Sequence, residues 1–135
     1  MIHEVWKCAV AELSMARVLI IDDDGPLLHL LTVVLRLEDL RVETAGDGTS
    51  GLECLNRQEI DLMILDLNLP DMDGREVFRA ARRAGYEGPV VICSAYGAQN
   101  ARHELGAEAA LDKPFDPEAL VTTVNDLLVA GGART

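Results

Sequence analysis

Residues 61–74 read DLMILDLNLPDMDG, and this stretch decides the fold. Leu62 to Leu65 are four consecutive apolar residues, which is typical of a strand buried on both faces of a parallel sheet. The strand ends at Asp66, and the Asn, Pro, Asp and Gly residues that follow are typical of a turn. The stretch therefore predicts a carboxylate at the carboxyl edge of a sheet.

The same alternation of short apolar runs and helical patterns fills the chain after Met15. It predicts strands at about 18–21, 40–44, 62–65, 90–93 and 109–111, and helices at about 26–38, 47–58, 74–84, 98–105 and 117–130. The predicted fold class is α/β, a (βα)5 three-layer sandwich of the flavodoxin-like type. Its parallel sheet has five strands in the order 2-1-3-4-5, and ligands bind at the carboxyl ends of strands 1 and 3.

Length and composition predict one acidic domain. The 135 residues suit a single hydrophobic core, and the formal net charge of -11 disfavours nucleic-acid and membrane partners. The longest apolar run, at 27–35, is too short to cross a bilayer. We interpret Arg79, Arg82 and Arg83 as a solvated helix face. Three scattered cysteines and the lack of a signal-peptide pattern favour a cytoplasmic location.

Residues 1–14 differ from the rest of the chain. Their apolar residues have helix-like spacing, so this segment is interpreted as an N-terminal extension, and residues 15–135 as the single domain. A translation start at Met15 would also leave the first strand complete, and the sequence does not distinguish the two.

Polar residues stand at four predicted strand ends. Strand 1 is followed by Asp22 and Asp23, strand 3 ends at Asp66, strand 4 at Ser94, and strand 5 is followed by Lys113. Carboxyl ends of parallel strands meet at one edge, so we expect these side chains to share one crevice. Each alone has a structural explanation as a helix cap, a turn residue or a solvated lysine. Those explanations do not account for the convergence.

The residue types indicate a hard metal ion and a phosphoryl group. Carboxylates brought together repel each other, and oxygen ligands without His or Cys select Mg²⁺. A lysine and a hydroxyl are suited to phosphoryl oxygens. The sequence therefore predicts that Asp66 accepts a phosphoryl group beside an Mg²⁺ ion.

Four motifs, VLIIDDD, DLMILDLNLPDMDG, VVICSA and DKPF, occur in this order between Arg17 and Phe115. With them the chain, from Arg17 to Ala130, resembles the receiver domain of two-component response regulators. The resemblance implies that Asp66 is the phosphoacceptor. It implies that Asp23, Asp66 and the backbone carbonyl of Asn68 bind Mg²⁺ (or Mn²⁺), with Asp22 held to the ion directly or through water.

The resemblance also implies roles for other residues around Asp66. Ser94 would donate a hydrogen bond to the phosphoryl group, and Lys113 would pair with Asp66 and then with its phosphate. The Lys113–Pro114 peptide bond would be cis. Pro70 and Gly74 would shape the loop after Asp66.

The implied partners are proteins. The phosphoryl donor would be a phosphohistidine on a sensor histidine kinase or a histidine phosphotransfer protein, which would dock on helix 1 and the loop after strand 5. A stand-alone receiver would signal by contact with a downstream protein. It would not be an enzyme beyond catalysing its own phosphorylation and dephosphorylation. The sequence leaves open whether the chain forms a homodimer.

Two departures from the family pattern concern the output of the signal. Ala110 stands three residues before Lys113, where the family usually has Tyr or Phe. The stretch from Ser94 to Gly106 is about one helical turn shorter than usual. Tyr96 is the nearest aromatic residue, and it is interpreted as a cover for the pocket.

Three other functions are alternatives to a phosphorylated receiver. A degenerate receiver that is never phosphorylated fits the missing aromatic but not the complete acidic set. A phosphatase of the haloacid-dehalogenase type usually has a second Asp where this chain has Asn68. A flavodoxin-like cofactor binder needs N–H groups in the first loop, which here is acidic.

Overall fold

The computed structural model describes residues 15–131, and the predicted N-terminal extension lies outside that part of the chain. Five strands alternate with five helices. The strands are β1 (Arg17–Ile21), β2 (Arg41–Ala45), β3 (Leu62–Asp66), β4 (Val90–Ser94) and β5 (Ala109–Asp112). The helices are α1 (Gly25–Arg36), α2 (Gly48–Arg57), α3 (Gly74–Arg83), α4 (Ala98–Leu105) and α5 (Pro117–Ala130).

All neighbouring strands are parallel, and their order is β2-β1-β3-β4-β5, as predicted. The three central strands are almost wholly buried, because helices cover both faces of the sheet. Leu19 and Ile21 pack with residues of α2, α3 and α4 on one face. Val18 and Ile20 pack with residues of α1 and α5 on the other. Alternate residues of β1 thus pack in two separate hydrophobic cores, one on each face of the sheet.

Aspartates begin four of the five helices. Asp24, Asp47, Asp73 and Asp116 each accept a hydrogen bond from a backbone N–H in the first turn of the following helix. The predicted cap at Asp24 is confirmed. The exception is α4, where Gly97 precedes the helix with a φ of 71° and there is no side-chain cap.

The largest boundary difference lies between α1 and β2. The sequence pattern predicts a helix to residue 38, but α1 ends at Arg36 and the chain turns through Asp39, whose φ is 61°. Leu40 is 1% exposed and packs in the core without belonging to β2. Its burial explains why the apolar pattern alone assigned it to the strand.

Among residues 15–131, none of the helices is both long and apolar enough to cross a bilayer.

Candidate functional site

The carboxyl ends of β1 and β3 bring three aspartates together. Ile21 and Leu65 are paired across the two strands, so Asp22 and Asp66, which follow them, lie side by side. Carboxylate oxygens of Asp22, Asp23 and Asp66 all lie within 4.8 Å of one another. Asp22 and Asp66 are buried, whereas Asp23 is exposed to solvent. The structure thus forms the predicted acidic cluster.

Lys113 reaches this cluster from the carboxyl end of β5, which is two strands away from β3. Its Nζ donates to Asp22 Oδ2 at 2.7 Å and to Asp66 Oδ2 at 3.3 Å. One ammonium group faces three carboxylates, which leaves a formal charge of about -2 if all are ionised, a state that favours a bound cation. Lys113 is therefore part of the site, and the explanation of a solvated lysine is wrong.

The two buried aspartates also make local turn hydrogen bonds. Asp22 Oδ1 accepts from the backbone N–H of Asp24 at 2.9 Å, and Asp66 Oδ1 accepts from that of Asn68 at 3.2 Å. In each carboxylate, one oxygen closes the turn and the other contacts Lys113. The turn explanations are thus correct but incomplete, because they use only half of each side chain.

Burial and charge act in opposite directions on Asp66 and Lys113. Burial raises the pKa of Asp66; the Asn68 hydrogen bond lowers it, Asp22 raises it further and Lys113 opposes that rise. Burial alone would lower the pKa of Lys113, but its bonds to Asp22 and Asp66 outweigh this and the pKa is raised. The two carboxylates thus favour the charged ammonium form of Lys113.

Ser94 lies at the buried end of β4, next to β3. Its Oγ accepts a hydrogen bond of 3.4 Å from the backbone N–H of Tyr96, and its carbonyl accepts one of 2.8 Å from Lys113. Ser94 does not cap α4, which begins after Gly97. The helix-cap explanation is therefore wrong, and the backbone of Lys113 is tied directly to the end of β4.

The loop after Asp66 folds back onto the strand end. Asn68 and Asp73 form an isolated antiparallel bridge, and the Gly74 N–H donates to the carbonyl of Leu67 at 2.8 Å. A Cβ atom on Gly74 would lie 2.3 Å from the backbone oxygen of Asp66. The close approach explains why glycine stands here. The Lys113–Pro114 bond is cis, as the resemblance implies.

Sequence reasoning missed Asp71, which joins the loop to α2. Its carboxylate accepts hydrogen bonds from the backbone N–H groups of Gly48 and Thr49, at 2.8 and 2.9 Å, and from Thr49 Oγ1 at 2.7 Å. These bonds, led by that of the Thr49 hydroxyl, lower the pKa of Asp71 to about 2. No local pattern predicts a contact across 23 residues. The sequence shows only that an aspartate stands in this loop.

Asp71→Ala should lower the melting temperature in a pH-dependent way. The pKa of Asp71 is depressed in the folded state, so its stabilisation is complete above the unfolded pKa and is lost as pH falls toward about 2. The wild-type and variant melting curves should differ at pH 7 and converge between pH 4 and 2, roughly the interval between the unfolded and folded pKa. Glu53→Ala, on the exposed face of α2, should show no such convergence. A difference that is the same at every pH would contradict the assignment.

Ala110 lies on β5, and Tyr96 lies between β4 and α4. Ala110 is half-buried, and its carbonyl accepts a hydrogen bond of 3.3 Å from Gln99 on α4. The side chain of Tyr96 is exposed, with 86% of its surface accessible. Tyr96 does not pack over the buried carboxylates, so the expectation that it covers the pocket is wrong.

Comparison with known proteins agrees with this geometry. Residues 18–125 match the family model described as "Response regulator receiver domain". The chain is 38% identical over 123 residues to the transcriptional regulatory protein GlrR of Escherichia coli K12, and the match covers 89% of this chain and 28% of GlrR. It is 35% identical over 117 residues to CpxR of the same strain, which covers 84% of this chain and 50% of CpxR. The chain thus spans half or less of these two relatives.

Solved structures show the same fold. A response regulator receiver domain protein (CheY-like) from Methanospirillum hungatei JF-1 superposes with a TM-score of 0.81 at 27% identity, covering 86% of this chain and 95% of that one. Chemotaxis protein CheY4 of Vibrio cholerae superposes with a TM-score of 0.77 at 30% identity, covering 84% and 99%. With the match of the family model and the sheet order, these likenesses show that the chain belongs to the response regulator receiver domain family.

Proposed function

We propose that Asp66 accepts a phosphoryl group from a phosphohistidine and that the chain is a phosphorylatable switch of two-component signalling. The observation that carries this proposal is the Lys113 ammonium group, which bridges Asp22 and Asp66 inside the acidic cluster. An acceptor carboxylate beside a buried cation, with a hydroxyl residue at the next strand end, meets the needs of phosphoryl transfer.

Asp22, Asp23 and Asp66 would hold Mg²⁺ or Mn²⁺, with the Asn68 carbonyl as the further ligand implied by the family. Their donor set fits such an ion, because it offers only oxygen atoms and carries more negative charge than Lys113 neutralises. When bound, the ion would neutralise phosphoryl oxygens during transfer.

The chain's own residues have separate tasks in the transfer. A carboxylate oxygen of Asp66 attacks phosphorus, and the bond from phosphorus to the imidazole nitrogen breaks, with its electron pair leaving on nitrogen. Lys113 moves from pairing with the carboxylate to pairing with the new phosphate. Ser94 donates its hydroxyl to a phosphoryl oxygen. In this proposal the chain catalyses only its own phosphorylation and dephosphorylation.

Incubation with Mg²⁺ and a small acyl phosphate tests the proposal without the kinase. Intact-mass spectrometry should show one added phosphate, and the modification should disappear when a chelator replaces Mg²⁺. An unmodified protein under these conditions would favour the degenerate receiver. That interpretation is the second candidate because Ala110 stands where the family usually has an aromatic residue.

Asp23→Asn should weaken Mg²⁺ binding by about tenfold or more, because ligand charge sets the affinity of oxygen sites for divalent ions. Asp23 is the exposed member of the cluster, so its substitution should leave the fold intact. The measurement is the rise of melting temperature with Mg²⁺ concentration, which reports binding to the folded state. Asp112→Asn, at the exposed end of β5, is the matched control. An unchanged Mg²⁺ response in Asp23→Asn would remove this residue from the ligand set.

The partners we propose are a sensor histidine kinase or histidine phosphotransfer protein and a downstream protein target. The names of GlrR and CpxR refer to transcriptional regulation, but this chain spans only part of each. For residues 15–131 we propose no nucleic-acid contact and no membrane contact, because the chain is strongly acidic. The stand-alone organisation and the cytoplasmic location stay predictions, which the mass and the fractionation of the native protein test.

A further inference from the structure

The positive charge of this acidic chain is concentrated on two neighbouring helices. Helices α3 and α4 carry five of the twelve Lys and Arg residues, namely Arg75, Arg79, Arg82, Arg83 and Arg102. They also carry two glutamates, so five positive against two negative charges leave a net charge of +3 with His103 neutral. The whole chain has a net charge of -11. These two helices therefore form a basic surface on an acidic protein.

A groove of about 370 Å³ runs between the two helices. Its lining combines apolar and charged side chains: Phe78, Arg79, Arg82, Arg83, Glu104 and Leu105. Phe78 is buried and Leu105 is half-buried, so apolar side chains form part of the wall. We call this region the α3–α4 groove.

The arginines of the groove differ in what they already bind. Arg82 donates to the backbone carbonyls of Tyr86 and Gly88 at 3.0 and 2.7 Å and pairs with Glu108 at 3.5 Å. The interpretation of Arg82 as a solvated arginine is thus wrong, and its role is to hold the α3–β4 connection. Arg83 is exposed, and within residues 15–131 its guanidinium group makes no hydrogen bond or ion pair.

The contacts of Glu104 show that arginines of α3 bind a carboxylate. Its Oε2 lies 3.2 Å from Arg79 Nη2 and 3.4 Å from Arg75 Nε, and its side chain is half-exposed. One carboxylate from α4 thus bridges two arginines of α3. Arg83 remains for the carboxylates of another molecule, and arginine pairs well with such planar groups.

We propose that the α3–α4 groove is a docking surface for an acidic segment of another protein. Carboxylates of that segment pair with Arg83 and with the exposed side of Arg79, whose Nη2 contacts Glu104. An apolar side chain packs against the half-buried Leu105. Charge complementarity selects an acidic partner, since the rest of this chain repels one. The surface is separate from the carboxylate cluster, so this inference does not depend on phosphorylation of Asp66.

A protein segment fits the groove better than a nucleic acid. Base stacking needs an open aromatic face, but Phe78 is only 5% exposed and Arg82 lies over its ring at 4.8 Å from the centroid. A protein segment can match both the apolar and the guanidinium parts of the lining, whereas a phosphate backbone matches only the guanidinium groups.

The test is the binding of a labelled peptide in which glutamates flank two leucines, measured by fluorescence anisotropy with the full chain. Binding should weaken with added salt, and Arg79→Glu with Arg83→Glu should weaken it by about tenfold or more. The control is Arg36→Glu with Arg57→Glu, which makes the same charge change on α1 and α2. It should change affinity by less than about threefold. Amide chemical shifts should move on α3 and α4.

Three results would overturn the proposal once circular dichroism shows that both double variants are folded. Equal weakening by the two double variants would mean that only total charge matters. Tighter binding of a short DNA duplex than of the peptide would assign the groove to nucleic acid. Concentration-dependent dimerisation that the Arg79 and Arg83 changes abolish would make a second copy of this chain the occupant.

Discussion

Asp66→Asn should abolish phosphate incorporation from an acyl phosphate in the presence of Mg²⁺. The amide keeps the size of the side chain and can still accept the hydrogen bond from Asn68, so the fold should persist. It lacks the anionic oxygen that is proposed to attack phosphorus, and no other carboxylate of the cluster occupies the last position of β3. The expected change is a complete loss of the phosphorylated mass, which intact-mass spectrometry measures.

Asp24→Asn is the matched control for this experiment. Asp24 is a neighbouring acid whose side chain caps α1, and asparagine caps helices about as well as aspartate. This variant makes the same change in charge and should be phosphorylated like the wild type. Phosphate on Asp66→Asn at the wild-type level would show that another residue is the acceptor. Loss in both variants would point to an effect of net charge.

Gly74→Ala should destabilise the protein by about 2–3 kcal/mol, the cost of overpacking a tight contact. The added Cβ would lie 2.3 Å from the backbone oxygen of Asp66 and 2.7 Å from Leu67 Cα. Neither atom belongs to a flexible side chain, so the backbone itself must move. The melting temperature should fall by about 10 °C. Phosphorylation should slow as well, because the atoms that move carry the acceptor.

Gly46→Ala separates this contact from the general effect of replacing a glycine. A Cβ on Gly46 meets nothing within 4 Å, and its φ is not positive. Its melting temperature and phosphorylation rate should stay close to those of the wild type. Equal destabilisation in the two variants would contradict the steric argument, since only Gly74 has a backbone atom in the way.

The sheet and the acidic cluster could be predicted because both follow from simple periodic patterns. A run such as Leu62 to Leu65 has one stable placement, in the middle of a parallel sheet. The polar residue that follows it then has to lie at the carboxyl edge. The sheet order brings Asp22 beside Asp66 without further assumptions.

The contacts that escaped prediction mostly join side chains to backbone atoms. Asp71 binds α2, and Arg82 turns inward to the carbonyls of Tyr86 and Gly88. The sequence pattern places Arg82 on a solvated helix face and Asp71 in a turn-rich loop. Most of their partners are main-chain groups, which every residue has, so no sequence pattern identifies these contacts.

Lys113 is separated by 91 residues from Asp22 and by 47 from Asp66. Fragments that lack the last strand would hold the acidic residues without their ammonium partner. In a chain emerging from the ribosome, the acidic residues would therefore be without this partner until nearly all of the domain has been synthesised. The site proposed to accept phosphate thus depends on residues drawn from nearly the whole length of the domain.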